Sequence, residues 1–241
     1  MKIGVIGGGQ LGRMLALAGT PLGMSFAFLD PAPDACAQAL GEHIRADYDD
    51  KDHLRRLADE VDLVTFEFES VPAETVAFLS QFVPVYPSAD ALRIARDRWF
   101  EKSMFRELGI PTPEFADIQS QADLDAAVAS IGLPAVMKTR TLGYDGKGQV
   151  RIGDGPAEWT GAPSVLEGFV DFSAEISVII ARGTDGQVAA FDPGLNVHRD
   201  GILRTTTVPC GLPGKVTTDA VLIAARIANA LDYVGVMGVE L

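Results

Sequence analysis

The chain opens on an apolar run, Ile3 to Ile6, that breaks into three consecutive glycines, Gly7, Gly8 and Gly9. Gln10-Leu11-Gly12-Arg13-Met14-Leu15-Ala16-Leu17-Ala18 follows, with Leu11, Leu15 and Ala18 at helical spacing. That is strand, tight turn and helix, the unit from which parallel sheets are wound. The alternation continues. Ser25 to Leu29 reads as a strand ending at Asp30 and the Pro31-Ala32-Pro33 break, Leu54 to Ala58 as helix, and Val61 to Phe68 as strand. Val76 to Leu79 then reads as helix and Val83 to Tyr86 as a short strand. Short apolar strands alternating with helices predict an α/β fold with a doubly wound sheet closing near residue 96.

Gly7, Gly9 and Gly12 satisfy G-x-G-x-x-G between that strand and helix, and Asp30 ends the next strand, which is the spacing of a dinucleotide fingerprint. The same turn also serves any doubly wound domain, empty or holding a simple phosphate at the helix N-terminus. An NAD-dependent oxidoreductase therefore stays open on the first module alone. Glu67 and Glu69 alternate with Phe66 and Phe68, so a strand through them puts both acids on one face at its C-terminal end, where open α/β sheets bind ligands.

A second module begins after a helix of mixed charge, Asp97 to Leu108, that stops at Gly109-Ile110-Pro111-Thr112-Pro113. Ala122 to Ile131 reads as helix, Leu133 to Lys138 as strand, Thr139 to Gly148 as a glycine-rich turn, and Gln149 to Ile152 as strand. Further strands run through Val165-Leu166 to Glu167 and from Glu175 to Ala181, with a hairpin-like turn at Arg182 to Gly186. Thr218 to Leu231 is a helix before a last strand, Val234 to Leu241, and a chain stopping inside a strand is expected to be a fragment of a longer protein.

Lys138 is the one charge on an apolar strand, a position that calls for an anion. Either a salt bridge or a nucleotide phosphate meets that need. Gly143-Tyr144-Asp145-Gly146-Lys147-Gly148-Gln149 can fold backbone N–H groups over phosphates, although its spacing is not that of a P-loop. Glu167-Gly168-Phe169-Val170 can present backbone groups to an adenine edge, and Glu175 can accept from ribose hydroxyls.

With 33 acidic against 20 basic residues the formal charge is −13, which repels a polyphosphate backbone in the absence of a concentrated basic patch. Arg93, Arg96, Arg98, Lys102 and Arg106 are interleaved with Asp97, Glu101 and Glu107, so nucleic acid is not an expected partner. Cys36 and Cys210 are far apart and form no metal or disulfide framework, and no apolar run is long enough for a leader or a membrane span. A cytoplasmic protein with no membrane partner is expected.

Taken in order, the strand lysine, glycine loop, strand-to-hinge segment and carboxylate resemble the ATP-grasp fold with its lid of antiparallel strands. Five motifs sharpen this. Gly7 to Met14, Thr65 to Glu69, Gly143 to Gln149, His198 to Thr205 and Gly235 to Glu240 together resemble the N5-carboxyaminoimidazole ribonucleotide synthetases, over the whole chain. The resemblance implies a Rossmann-like pre-ATP-grasp domain at 1–96 that does not bind NAD. It also implies an ATP-grasp lid at 97–170 and a partial C-terminal ATP-grasp subdomain at 171–241. The implied activity is ATP-dependent carboxylation of aminoimidazole ribonucleotide by bicarbonate through carboxyphosphate, in purine biosynthesis, by a homodimer. Arg98 and Lys138 match phosphate contacts, Gly143 to Gln149 the phosphate-covering loop, Glu167, Gly168, Phe169 and Val170 the adenine hinge, Glu175 the ribose carboxylate, and His198 a further ATP position. Glu67, Tyr144 and Lys147 match catalytic positions near aminoimidazole ribonucleotide and bicarbonate. Many members carry Arg where this chain has Lys147, which exchanges a bidentate fork for a point charge. Glu240 matches one Mg2+ carboxylate, and a second matching carboxylate would lie beyond Leu241. The N–H groups of Gly9, Gln10 and Leu11 are expected to receive the substrate's ribose phosphate. Another ATP-grasp ligase of purine metabolism, an NAD-dependent oxidoreductase built on the first domain and a nucleotide-binding fragment without turnover are the alternatives.

Overall fold

The computed structural model describes residues 1–143, 148–153, 155–199 and 201–241, which form two compact units. The first comprises Met1–Arg93 with Tyr233–Gly235. Its elements are β1 (Lys2–Ile6), α1 (Gln10–Gly19), β2 (Ser25–Leu29), β3 (Glu42–Ile44), α2 (Lys51–Glu60), β4 (Leu63–Phe66) and α3 (Ala73–Leu79). The sheet is parallel, in the order β3-β2-β1-β4. Strands of such a sheet are covered on both faces, which is why Val5, Ile6, Phe28 and Leu29 are consecutive apolar residues rather than alternating ones. α2 begins where the Asp50 carboxylate accepts from the Asp52 and His53 N–H groups, and it buries Leu54, Leu57 and Ala58 on one face.

Two expectations are corrected in this unit. Val83 to Tyr86 is not a strand but a single parallel bridge, Val64 to Val85, because Pro84 has no N–H to extend the ladder. β4 ends at Phe66, so Glu67 lies in the bend just past the strand rather than within it.

The second unit holds Ile94–Asp232 and Val236–Leu241, while α4 (Ala89–Ala95) runs across the boundary. α5 (Arg98–Glu107) is capped by the Asp97 carboxylate. β5 (Phe115–Ile118), β6 (Ala135–Thr139), β7 (Gln149–Ile152) and β8 (Ser164–Gly168) form an antiparallel sheet in the order β5-β8-β6-β7. α6 (Gln121–Ile131) starts at a Ser120 side-chain cap and ends at Gly132, whose φ of 86° suits glycine. It places Leu124 and Ala127 in one core with Ile118, Ala135, Met137, Ile152 and Leu166.

A second sheet contains β9 (Glu175–Arg182), β10 (Val188–Ala190), β11 (Gly194–Arg199), β12 (Ile202–Thr207) and β13 (Gly235–Glu240), with β13 paired to β9. α7 (Gly214–Ala230) carries Ala220, Ala224 and Ala228 at four-residue spacing. These small side chains and Ile227 are buried, and the helix packs on Ile176, Val178 and Ile180 of β9. Replacing Ala224, which is fully buried, with leucine is expected to destabilise this unit by about 1–3 kcal/mol through overpacking, read from a urea melt. Among the described residues no helix is long and apolar enough to cross a membrane.

Candidate functional site

In the first unit the glycine turn is already occupied by the chain's own carboxylates. Glu67 Oε1 accepts from the Gly9 N–H at 2.6 Å, and its Oε2 accepts from the Gly12 N–H. Asp30 accepts from the Gly8 N–H at 2.7 Å, from the Tyr48 hydroxyl at 3.1 Å and from the Ala32 N–H at 2.8 Å. Burial, with the Asp30 charge beside it, holds the Tyr48 phenol above its ordinary range, so it remains a proton donor.

The glycines are needed for the same reason. A Cβ on Gly7 would lie 2.6 Å from the Glu67 side chain and one on Gly9 2.7 Å from Glu67 Oε1, and Gly7 also has a φ of 101°. The fingerprint spacing thus makes room for an internal carboxylate rather than a pyrophosphate. Asp30, placed by spacing for a ribose, is 7% exposed and turned inward. Of the three positions expected to meet a substrate phosphate, Gly9 has its N–H engaged. Gln10 and Leu11 have N–H groups without acceptors among the described residues, but they sit beside the Glu67 charge. Glu67→Ala removes the acceptor of two helix N-terminal N–H groups, and a loss of about 1–2 kcal/mol in a denaturant melt is expected.

In the second unit, strand alternation builds a charged face. Met137 of β6 and Leu166 of β8 are directly opposite and point to the α6 core. Lys138 and Glu167 therefore point to the other face, diagonal neighbours across the same pair of strands. Lys138 Nζ donates to Glu167 Oε2 at 3.0 Å. The Lys102 ammonium, from α5, pairs with that same oxygen at 3.3 Å. Glu167 Oε1 is buried and has no hydrogen-bond partner among the described residues. The anion required by Lys138 is thus supplied within the chain, while one buried acceptor has no donor among the described residues.

Arg98 is the first residue of α5, and its N–H donates to the Arg140 carbonyl at 3.0 Å. Arg140 grips Asp97 through Nη2 at 2.6 Å and Nε at 3.0 Å, and reaches Asp117 through Nη1 at 3.2 Å. This network ties the start of α5 to the end of β6, so Arg98 and Lys138 hang on one frame. Among the described residues the Arg98 guanidinium has no ion-pair partner.

In the segment expected as the adenine hinge, Gly168 N–H donates to Glu114 O at 2.9 Å and Phe169 N–H to Pro134 O at 3.1 Å, so these two donors are engaged within the chain. Val170 is exposed, and the Phe169 ring lies 4.3 Å from the Arg151 guanidinium carbon. Glu175 Oε2 lies 3.0 Å from His198 Nδ1, which brings together across β9 and β11 the residues expected at the ribose and at a further nucleotide position. Glu240 is exposed on β13. Among the described residues no three His, Cys, Asp or Glu side chains cluster as a metal site. Of the loop expected to cover the phosphates, Gly143, Gly148 and Gln149 are described, with a Gly148 Cβ position 3.6 Å from Gly143 Cα. Tyr144, Asp145, Gly146 and Lys147 lie outside the described residues.

Three residues that this network and the Glu167 cluster use are not among the expected site residues: Lys102, Asp97 and Arg140. Lys102 reads as one of the solvated charges of its helix, yet its side chain is only 13% exposed. Its spacing of four residues from Arg98 puts the two cations on one helical face, which is the available signal.

Residues 1–96 match the ribonucleotide synthetase preATP-grasp domain family and residues 103–241 the ATP-grasp domain family. A relative from Pseudomonas aeruginosa, an N5-carboxyaminoimidazole ribonucleotide synthase, is 66% identical over 247 aligned positions, covering all of this chain and 68% of the relative. The crystal structure of N5-carboxyaminoimidazole ribonucleotide synthetase from Thermus thermophilus superposes with a TM-score of 0.91 at 43% identity, over 99% of this chain and 66% of that one. An N5-carboxyaminoimidazole synthase from Aspergillus clavatus, in complex with ADP and 5-aminoimidazole ribonucleotide, gives 0.87 at 26% identity, over 99% and 65%. The chain thus spans about two thirds of the length of these proteins.

Proposed function

Because the chain belongs to the N5-carboxyaminoimidazole ribonucleotide synthase family of ATP-grasp ligases, we propose that its second unit binds ATP on the Lys138–Glu167 face. We also propose that the whole protein uses that ATP to carboxylate aminoimidazole ribonucleotide with bicarbonate. The observation that carries the reading is the buried Glu167 Oε1, without a partner among the described residues, beside a lysine pair. A buried acceptor without a donor is costly, and an exocyclic amine such as that of adenine supplies one, while the Lys138 ammonium receives a phosphate oxygen. Val170 then offers its N–H to the base, Glu175 accepts from ribose hydroxyls, and the phosphates extend toward Lys138 and Arg98.

Mg2+ fits the donor chemistry of Glu240, because that ion is commonly held by one or two carboxylates together with substrate phosphates and water. When bound it neutralises phosphate charge. The rest is positioning: Lys138 and Arg98 orient the γ-phosphoryl group for attack by a bicarbonate oxygen, and ADP leaves. The substrate amine then attacks the carboxyphosphate carbonyl carbon, phosphate leaves, and the amine loses a proton. Glu67, Tyr144 and Lys147 are the positions proposed for the substrate and bicarbonate. We place the reaction in the cytoplasm, in keeping with two free cysteines, and in a dimer, which sedimentation velocity tests.

The test is ADP release by the chain with aminoimidazole ribonucleotide and either bicarbonate or formate. Release that needs both the ribonucleotide and bicarbonate is the expected result. Release driven by formate would assign a different ATP-grasp ligase, and ATP binding without any release would leave a nucleotide-binding unit in place of an enzyme.

A further inference from the structure

The second unit holds one feature that the proposed reaction does not by itself require: two ammonium groups share one oxygen of a single buried carboxylate. Glu167 Oε2 lies 3.0 Å from Lys138 Nζ and 3.3 Å from Lys102 Nζ, and the Glu167 side chain is 6% exposed. Lys102 is the more enclosed of the two lysines, at 13% against 26%, and its ammonium also lies 5.9 Å from the centre of the Phe115 ring. Water therefore does little to screen the cluster, and the charges must be summed as they stand. One carboxylate and two ammonium groups give a formal charge of +1. Without Lys102 the remaining Lys138–Glu167 pair sums to zero.

We propose that Lys102 is a positioning residue for the phosphates of the bound nucleotide, acting through Glu167 and not by contact. It takes a share of the Glu167 carboxylate, so the more exposed Lys138 ammonium keeps positive charge to offer a phosphate. It also holds Glu167 in place from the helix side, so that Lys138 is drawn to one position on the sheet face. The inference rests on the nucleotide reading above and adds to it the source of the site's net charge.

The role makes a specific demand on ligand chemistry: Lys102 matters to phosphates and not to the base. The experiment is calorimetric titration of the chain and its Lys102→Met and Lys102→Arg variants with ADP and with adenosine. Lys102→Met is expected to weaken ADP on the order of tenfold and to leave adenosine within about twofold, the size of effect that one poorly screened charge exerts at short range. Lys102→Arg keeps the charge and is expected to stay within about threefold of the parent for ADP. Unchanged ADP affinity in Lys102→Met overturns the proposal. So does an equal loss for ADP and adenosine, because that is what a merely structural lysine produces. If Lys102→Met does not fold, Lys102→Arg decides, with a tenfold loss of ADP counting against a role based on charge. An unaltered chain that binds neither ligand removes the nucleotide reading itself, and this inference with it.

Discussion

Glu167→Leu is expected to destabilise the second unit by about 3–5 kcal/mol, the usual cost of removing one partner from a buried ion pair. The carboxylate is nearly fully enclosed, and its loss leaves two ammonium groups close together with no counter-charge between them. For a chain of this size the melting temperature should fall by roughly 10 °C or more. The triple variant Glu167→Leu, Lys102→Met, Lys138→Met replaces the whole cluster with apolar groups and should recover most of the loss, since well-packed hydrophobic substitutes for buried ion clusters are often neutral. Thermal melts of the two variants check this. A Glu167→Leu chain that melts within about 2 °C of the parent, or a triple variant less stable than the single one, contradicts the charge balance argued for this face.

Lys138→Met is expected to act in the opposite manner, with a large effect on ligand and a small one on stability. Glu167 keeps Lys102 as a counter-ion, so the fold retains a paired carboxylate. The lost group is the more exposed cation of the face, and a hydrogen bond to a charged group contributes about 1.5–3 kcal/mol. Affinity for ATP should therefore fall by about ten- to a hundredfold while adenosine is held as before. Equilibrium titration measures both. An ATP affinity unchanged by Lys138→Met contradicts the assignment of this face to phosphates.

Much of this frame is readable from residue order. Gln149 to Ile152 forms the strand expected of it, and Lys138 stands at the end of its strand with an anion in reach, because an apolar run with one charge admits few other solutions. What could not be read is of two kinds. β12, Ile202–Thr207, is exposed along its whole length, so no burial pattern marks it, and β5 is short and follows two prolines that read as loop. The other kind is partner choice. The glycine turn has a dinucleotide spacing, and nothing near it in sequence says that Glu67, from after β4, fills the turn through Gly9 and Gly12. Lys102 and Glu167 come together only because α5 lies against the sheet, a tertiary event without a local signature.

The proposed function stands or falls on where a nucleoside triphosphate binds: at the β6–β8 face, and not at the glycine turn of β1. Amide hydrogen exchange of the chain with saturating ATP, and separately with NADH, distinguishes the two places. ATP is expected to slow exchange around Lys138 and from Glu167 to Val170, and NADH to change nothing. Protection by NADH from Gly7 to Gly12, with no ATP effect on the hinge, would put the nucleotide in the first unit and refute the assignment.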